Sequence, residues 1–173
     1  MDIIESVNAV AKAISLYPIV VISSIIVLGV IAAISQKWGM LKRIIITAVL
    51  IGIASTIEHS LKYQILPVCG APKWITARPI SAKDCNLWNS GGDFSKVPGF
   101  PSGHSTFAWL VAGLAFATAG HTNVWIVVFA LLAAIATSIS RVVLHCHTVS
   151  QVIAGGVLGI TVAGFGNLLL LQD

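Results

Sequence analysis

Three short stretches carry residue types that suit phosphoryl chemistry: Arg78-Pro79, Pro101-Ser102-Gly103-His104-Ser105, and Ser140-Arg141 followed after five residues by His147. Arginines grip phosphate oxygens in a planar, bidentate fork and stay charged at any physiological pH. A Ser-Gly turn leading into a helix leaves free backbone amides, which form a ready anion site. Of two histidines, one can attack phosphorus and the other can protonate the departing oxygen. These residues act together only if the fold brings the three stretches to one place.

The composition states what kind of fold that must be. The chain has 173 residues, 57% apolar and only 9% charged, with a mean hydropathy of +0.95. Soluble domains carry about 25% charged residues, so a solvated globule, a disordered chain and a coiled coil are all excluded. An all-α, polytopic membrane helical bundle is expected, with residues 1–173 forming a single membrane domain. The net charge of +4 comes without a basic run interleaved with aromatics, which argues for anionic membrane lipids as partners and against nucleic acid.

Five stretches are long and apolar enough to cross, or nearly so: 19–35, 44–66, 105–119, 124–146 and 149–171. Residues 2–17 place Ile3, Ile4, Val7, Val10, Ala11 and Ile14 at helical spacing, which predicts an amphipathic helix in the interface. Asp2 and Glu5 stand where a cleavable signal peptide needs positive charge, so none is expected. Residues 67–101 lose all periodicity and form the active-site loop. The fifth span contains Gly155 and Gly159, a spacing suited to close helix contact.

Counting crossings places Glu58, His59, Lys62, Lys73, Arg78, Ser102, His104, Arg141, His145, His147 and Gln151 at one membrane face. The opposite face holds the Lys37, Lys42 and Arg43 turn and the His121 turn. The positive-inside bias puts the first of these turns in the cytoplasm, and hence the active site on the extracytoplasmic or lumenal face. In that oxidising setting Cys69 and Cys85, which share the loop, are expected to be able to pair. The three cysteines have no metal-ligand spacing.

The ordered motifs resemble the type 2 phosphatidic acid phosphatase (PAP2) superfamily of membrane lipid phosphatases, whose pattern is Lys-x6-Arg-Pro, Pro-Ser-Gly-His and Ser-Arg-x5-His-x3-Asp. Pro101-Ser102-Gly103-His104 matches in full, and Ser140-Arg141 with His147 matches up to Gln151, which replaces the Asp. The family lysine spacing from Arg78 lands on Ala71; Lys62 fits by its place at the end of the second span, and Lys73 competes by proximity. His147-Thr148-x-x-Gln151-Val152 is similar to the form found in dolichyl diphosphatases. The resemblance implies hydrolysis of a lipid phosphate or polyprenyl diphosphate. It further implies that His147 is the nucleophile forming a phosphohistidine and that His104 is the general acid. Gln151 would orient His147, and Lys62 (or Lys73), Arg78, Ser102, Gly103 and Arg141 would hold the phosphate. Neither a metal nor an organic cofactor is implied.

Competing readings are a lipid-to-lipid phosphotransferase on the same scaffold, a non-catalytic lipid-phosphate binder and a membrane haem protein. Haem ligation wants histidines facing one another inside a bundle, whereas these cluster at one edge. His59, His121 and His145 read as interfacial or structural. The tryptophans, Trp109 among them, read as an aromatic belt or loop packing. Asp84, Asn86 and Asp93 are expected to hold the loop together, and Glu58 to pair with Lys62 one turn away.

Overall fold

The computed structural model describes residues 2–119 and 123–170. The His121 turn and the end of the fifth span at Leu171 lie outside the described residues. The chain is helical: α1 Ile3–Ser15, α2 Tyr17–Ile34, α3 Trp38–Ser60, α4 Leu66–Val68, α5 Lys73–Thr76, α6 Gly103–Ala119, α7 Val124–Val143 and α8 Val149–Leu170. A π turn, Leu61–Ile65, joins α3 to α4. Among the described residues the one extended pairing is an isolated bridge between Lys83 and Asp93.

Four helical stretches have the length and apolarity to cross a membrane: Ile3–Ile34, Trp38–Val68, Val124–Val143 and Val149–Leu168. Helix α6, expected as a further span, has 17 residues and so extends about 25 Å. It is the inner helix of the bundle. His104, Ser105, Thr106, Phe107, Ala108, Leu110, Ala112, Leu114 and Ala119 are all buried along it. Around it, Ile26, Ile31, Phe129, Leu132, Val157 and Phe165 turn outward, as an apolar solvent requires.

The expected N-terminal helix is separate from α2 but only just. Leu16 alone divides them, and Pro18 sits inside the first turn of α2, where its missing amide costs nothing. Helix α1 packs against α7, burying Ala11 and Ser15. The fourth span ends earlier than expected. Helix α7 stops at Val143, and His145 takes a positive φ of 52°, so His145–Cys146–His147 is a turn and not the last coil of a helix.

The α6–α8 contact sets the distance between the motifs. A Cβ on Gly155 would strike the carbonyl of Ser102, and one on Gly159 would strike the carbonyl of Thr106 and reach 2.7 Å from the Leu110 nitrogen. The two backbones therefore touch through the Gly-x-x-x-Gly face. Leu50, Leu110, Leu114 and Val162 close the core beyond it.

Gly159→Val is expected to destabilise the protein by about 1–3 kcal/mol through forced separation of α6 and α8. Gly164→Ala meets nothing within 4 Å and should hold or raise stability by up to about 1 kcal/mol. Thermal unfolding in detergent checks the pair, and equal Tm values would remove the backbone contact as the determinant.

Candidate active site

The first turns of α6 and α8 are stitched directly: the Ser102 amide donates to the Gln151 carbonyl at 3.0 Å. Before them, the Cys146 and His147 amides both donate to the Arg141 carbonyl, at 3.0 and 3.2 Å. The left-handed residue His145 makes that reversal, so the chain delivers His147 beside its own Arg141. On the loop side, the Gly99 amide donates to the Thr76 carbonyl at 2.7 Å, which brings the Arg78 segment against the Pro101–Gly103 turn.

His147 is buried, with Nδ1 3.2 Å from Gln151 Oε1 and Nε2 3.0 Å from Arg78 Nη1. Gln151 Oε1 also accepts from the Thr148 amide at 3.2 Å, while Nε2 donates to the Ile75 and Ala77 carbonyls at 3.0 and 2.7 Å. Its amide is thus oriented by four partners. A carbonyl oxygen only accepts and a guanidinium only donates, so His147 carries its proton on Nδ1 and offers the Nε2 lone pair to Arg78. Burial pushes the His147 pKa well below the ordinary range, helped by the positive charges of Arg78, Lys62 and Arg141 and by His104. Burial and the surrounding cations thus favour the neutral ring.

Arg141 is wholly buried; Nη2 donates to the Cys85 carbonyl at 2.8 Å and Nη1 to Asn89 Oδ1 at 3.2 Å. Arg78 Nη1 donates to the Cys146 carbonyl at 2.8 Å, and its guanidinium lies 5.7 Å from the centre of the Phe94 ring. Burial lowers the Arg78 pKa from its usual value, and nearby Tyr63 and Glu58 oppose the shift.

Cys85 is bonded to Cys146, which corrects the expected pairing with Cys69. Cys146 reaches the loop from the α7–α8 turn, with a Cα–Cα distance of 5.4 Å, whereas Cys69 is exposed beyond α4 and free. Both arginines therefore hang from the carbonyls of the two halves of one disulfide.

His104 is buried on the first turn of α6. Ser102 is also buried and ends a hydroxyl chain: Trp109 Nε1 donates to Ser138 Oγ at 3.1 Å, Ser138 to Ser105 at 3.4 Å, and Ser105 to Ser102 at 3.3 Å. Trp109 is therefore a partner of α7 within the bundle and not a member of an aromatic belt. The π turn carries Lys62 inward, where it is buried and paired with Glu58, while Lys73 on α5 is exposed. A Cβ on Gly103 would stand 3.3 Å from the Glu58 carboxylate, so Glu58 borders the α6 N-terminus.

The fold thus gathers Lys62, Arg78, Ser102, Gly103, His104, Arg141, His147 and Gln151, and leaves Lys73 outside. His59 is exposed with its ring tilted against Tyr63, and His145 is exposed. Asp84, Asn86 and Asp93 do brace the loop, accepting from the amides of Gly92, of Trp88 and Ser90, and of Ser95 respectively. Asn89, which no motif signals, is a side-chain contact to Arg141 that sequence reasoning missed, as it missed the Cys85 carbonyl. Among the described residues no group of three or more His, Cys, Asp or Glu is arranged to hold a metal ion. Arg78 Nε, Arg141 Nε and His104 Nε2 are buried without a hydrogen-bond partner among the described residues. Thr137 Oγ1 and Asn167 Oδ1 are unpartnered as well; buried polar groups are normally satisfied, and the three nitrogens are those that fall on motif residues.

A protein-family model described as PAP2 superfamily matches residues 43–171. No curated protein and no solved structure matches the chain.

Gln151→Glu keeps the size of the side chain but turns both donors into an acceptor facing the Ile75 and Ala77 carbonyls. A loss of about 1–3 kcal/mol is expected, as for other buried groups left unsatisfied. Denaturation in detergent measures it, and an unchanged Tm would show that the amide does not tether the loop.

Proposed function

The chain belongs to the PAP2 superfamily, and from that premise we propose that it is an integral membrane phosphatase that hydrolyses a lipid phosphate through a phosphohistidine. The observation that carries this reading is the set of unpartnered nitrogens, Arg78 Nε, Arg141 Nε and His104 Nε2, in a buried cluster with Lys62. A tetrahedral phosphate has the oxygens and the charge to satisfy them.

In the first step Arg78 exchanges His147 Nε2 for a phosphate oxygen, and the freed lone pair attacks phosphorus. The N–P bond forms as the P–O bond to the lipid breaks, and His104, which takes up a proton as the phosphate anion enters among the cations, gives that proton to the leaving oxygen. Water then attacks phosphorus, His104 takes up its proton, and the N–P bond breaks to release phosphate. Arg78, Arg141, Lys62 and the α6 amides after Ser102 steady the charge on the phosphoryl oxygens. Gln151 accepts from Nδ1 and holds the tautomer, supplying orientation without the negative charge of a carboxylate. The stabilising charges all belong to side chains and amides, so the scheme uses neither a metal nor an organic cofactor.

The His147-Thr148-x-x-Gln151-Val152 pattern, similar to that of dolichyl diphosphatases, supports a polyprenyl diphosphate as the substrate class. Two observations support an extracytoplasmic or lumenal site: the basic turn of Lys37, Lys42 and Arg43 at the far end of α3, and a disulfide on the loop side.

His147→Ala is expected to abolish turnover and to eliminate the acid-labile labelled adduct that a rapid quench should trap in the parent protein; full activity in the variant would sink the mechanism. Because the His147 pKa is held below 6.5, the base form persists as pH falls through the normal histidine range. The acid limb of kcat/KM, corrected for substrate ionisation, should therefore lie below pH 6.5, and a limb at or above 6.5 would contradict a buried neutral nucleophile. For topology, exposed Cys69 is a built-in reporter: an impermeant maleimide should label it on sealed cells, and labelling only after lysis would reverse the orientation.

A further inference from the structure

We propose that Asn89 is a positioning residue of the phosphate site and that α1, which lies outside the family-matched segment, holds it in place. The proposal rests on Arg141 being a phosphate ligand.

Asn89 sits in the loop with φ of 51°, a conformation that asparagine adopts far more readily than branched residues. Asn86 prepares that bend: its Oδ1 accepts from the Trp88 and Ser90 amides at 3.0 and 2.9 Å. Asn89 then reaches in two directions. Its Oδ1 accepts from Arg141 Nη1 at 3.2 Å and from Ser15 Oγ at 2.8 Å, and its Nδ2 donates to the Lys12 carbonyl at 3.1 Å. Ser15 is fully buried, and its hydroxyl also lies 2.8 Å from the Lys12 carbonyl. The last turn of α1 therefore clamps the Asn89 amide from both ends.

The clamp decides where Arg141 points. The Cys85 carbonyl alone leaves the guanidinium free to pivot about one hydrogen bond. A second acceptor on Nη1 fixes the plane, and with it the direction of the unpartnered Nε–H. A neutral amide does this without cancelling the positive charge. A carboxylate in the same place would pair with the guanidinium and compete with phosphate. Asparagine is thus the residue that orients the arginine and leaves its charge for the ligand.

The test uses the full-length protein in detergent and reads the vanadate inhibition constant, KM and kcat for a lipid phosphate. Asn89→Ala is expected to raise KM and the vanadate constant by about 10-fold, the scale of a hydrogen bond to a charged group, with a smaller change in kcat. Asn89→Asp should weaken vanadate further than Asn89→Ala, an ordering that loss of packing does not produce. Ser15→Ala, which changes no loop residue and removes only the α1 hydroxyl that holds Asn89, should shift the same constant in the same direction by less, and stands in if Asn89→Ala does not fold. Unchanged vanadate inhibition in Asn89→Ala and Ser15→Ala, with inhibition lost in Arg141→Ala, would overturn the role of Asn89 alone. Unchanged inhibition in Arg141→Ala as well would overturn the phosphate reading beneath it.

Discussion

Several positive groups share one buried space, and the rest of the site follows from the need to hold them without neutralising them. Charges taken out of water cost several kcal/mol each unless hydrogen-bonded, and like charges repel. Lys62 is met by a carboxylate, Glu58. The two arginines instead receive neutral acceptors: the carbonyls of Cys85 and Cys146, the amide of Asn89 and the ring nitrogen of His147. Two of the acceptors come from the loop and two from the α7–α8 turn, and α1 is tied in through Asn89, so all three segments gather around the same pair of cations.

The bundle supplies the other half of the arrangement. Contact between the α6 and α8 backbones brings the Ser102–His104 turn against the His147–Gln151 turn, and the π turn of the second membrane helix rotates Lys62 toward them. Covalent and hydrogen-bonded ties hold these turns together at the membrane edge. The apolar exterior, in contrast, presents side chains that lipid can exchange freely.

Much of this was legible in the chain itself. Spans are read from hydropathy because a bilayer tolerates few unsatisfied polar groups, and the convergence of motifs follows from counting crossings. The pairing of Glu58 with Lys62 is a matter of helical spacing. The Gly155–Gly159 contact is likewise local. What escaped depends on contacts between distant segments. Cys146 looked like the end of a helix because apolar residues run past Val143, and the left-handed turn at His145 is made by a residue type that does not advertise it. Asn89 was one polar loop residue among several, and only the placement of α1 distinguishes it. Helix α6 is covered largely by its neighbours, which hydropathy alone does not distinguish from cover by lipid.

Gln151 faces two ways, toward His147 and toward the carbonyls of Ile75 and Ala77, and that makes position 151 and the stretch before Arg78 a single unit of inheritance. A chain carrying Asp at the equivalent place could not donate to those carbonyls, which would then need another donor. Exchange of residue 151 between relatives of the two kinds should be tolerated only when the loop travels with it. The pattern of substitution across the superfamily would then record two loop architectures, each marked by a single letter in the third motif.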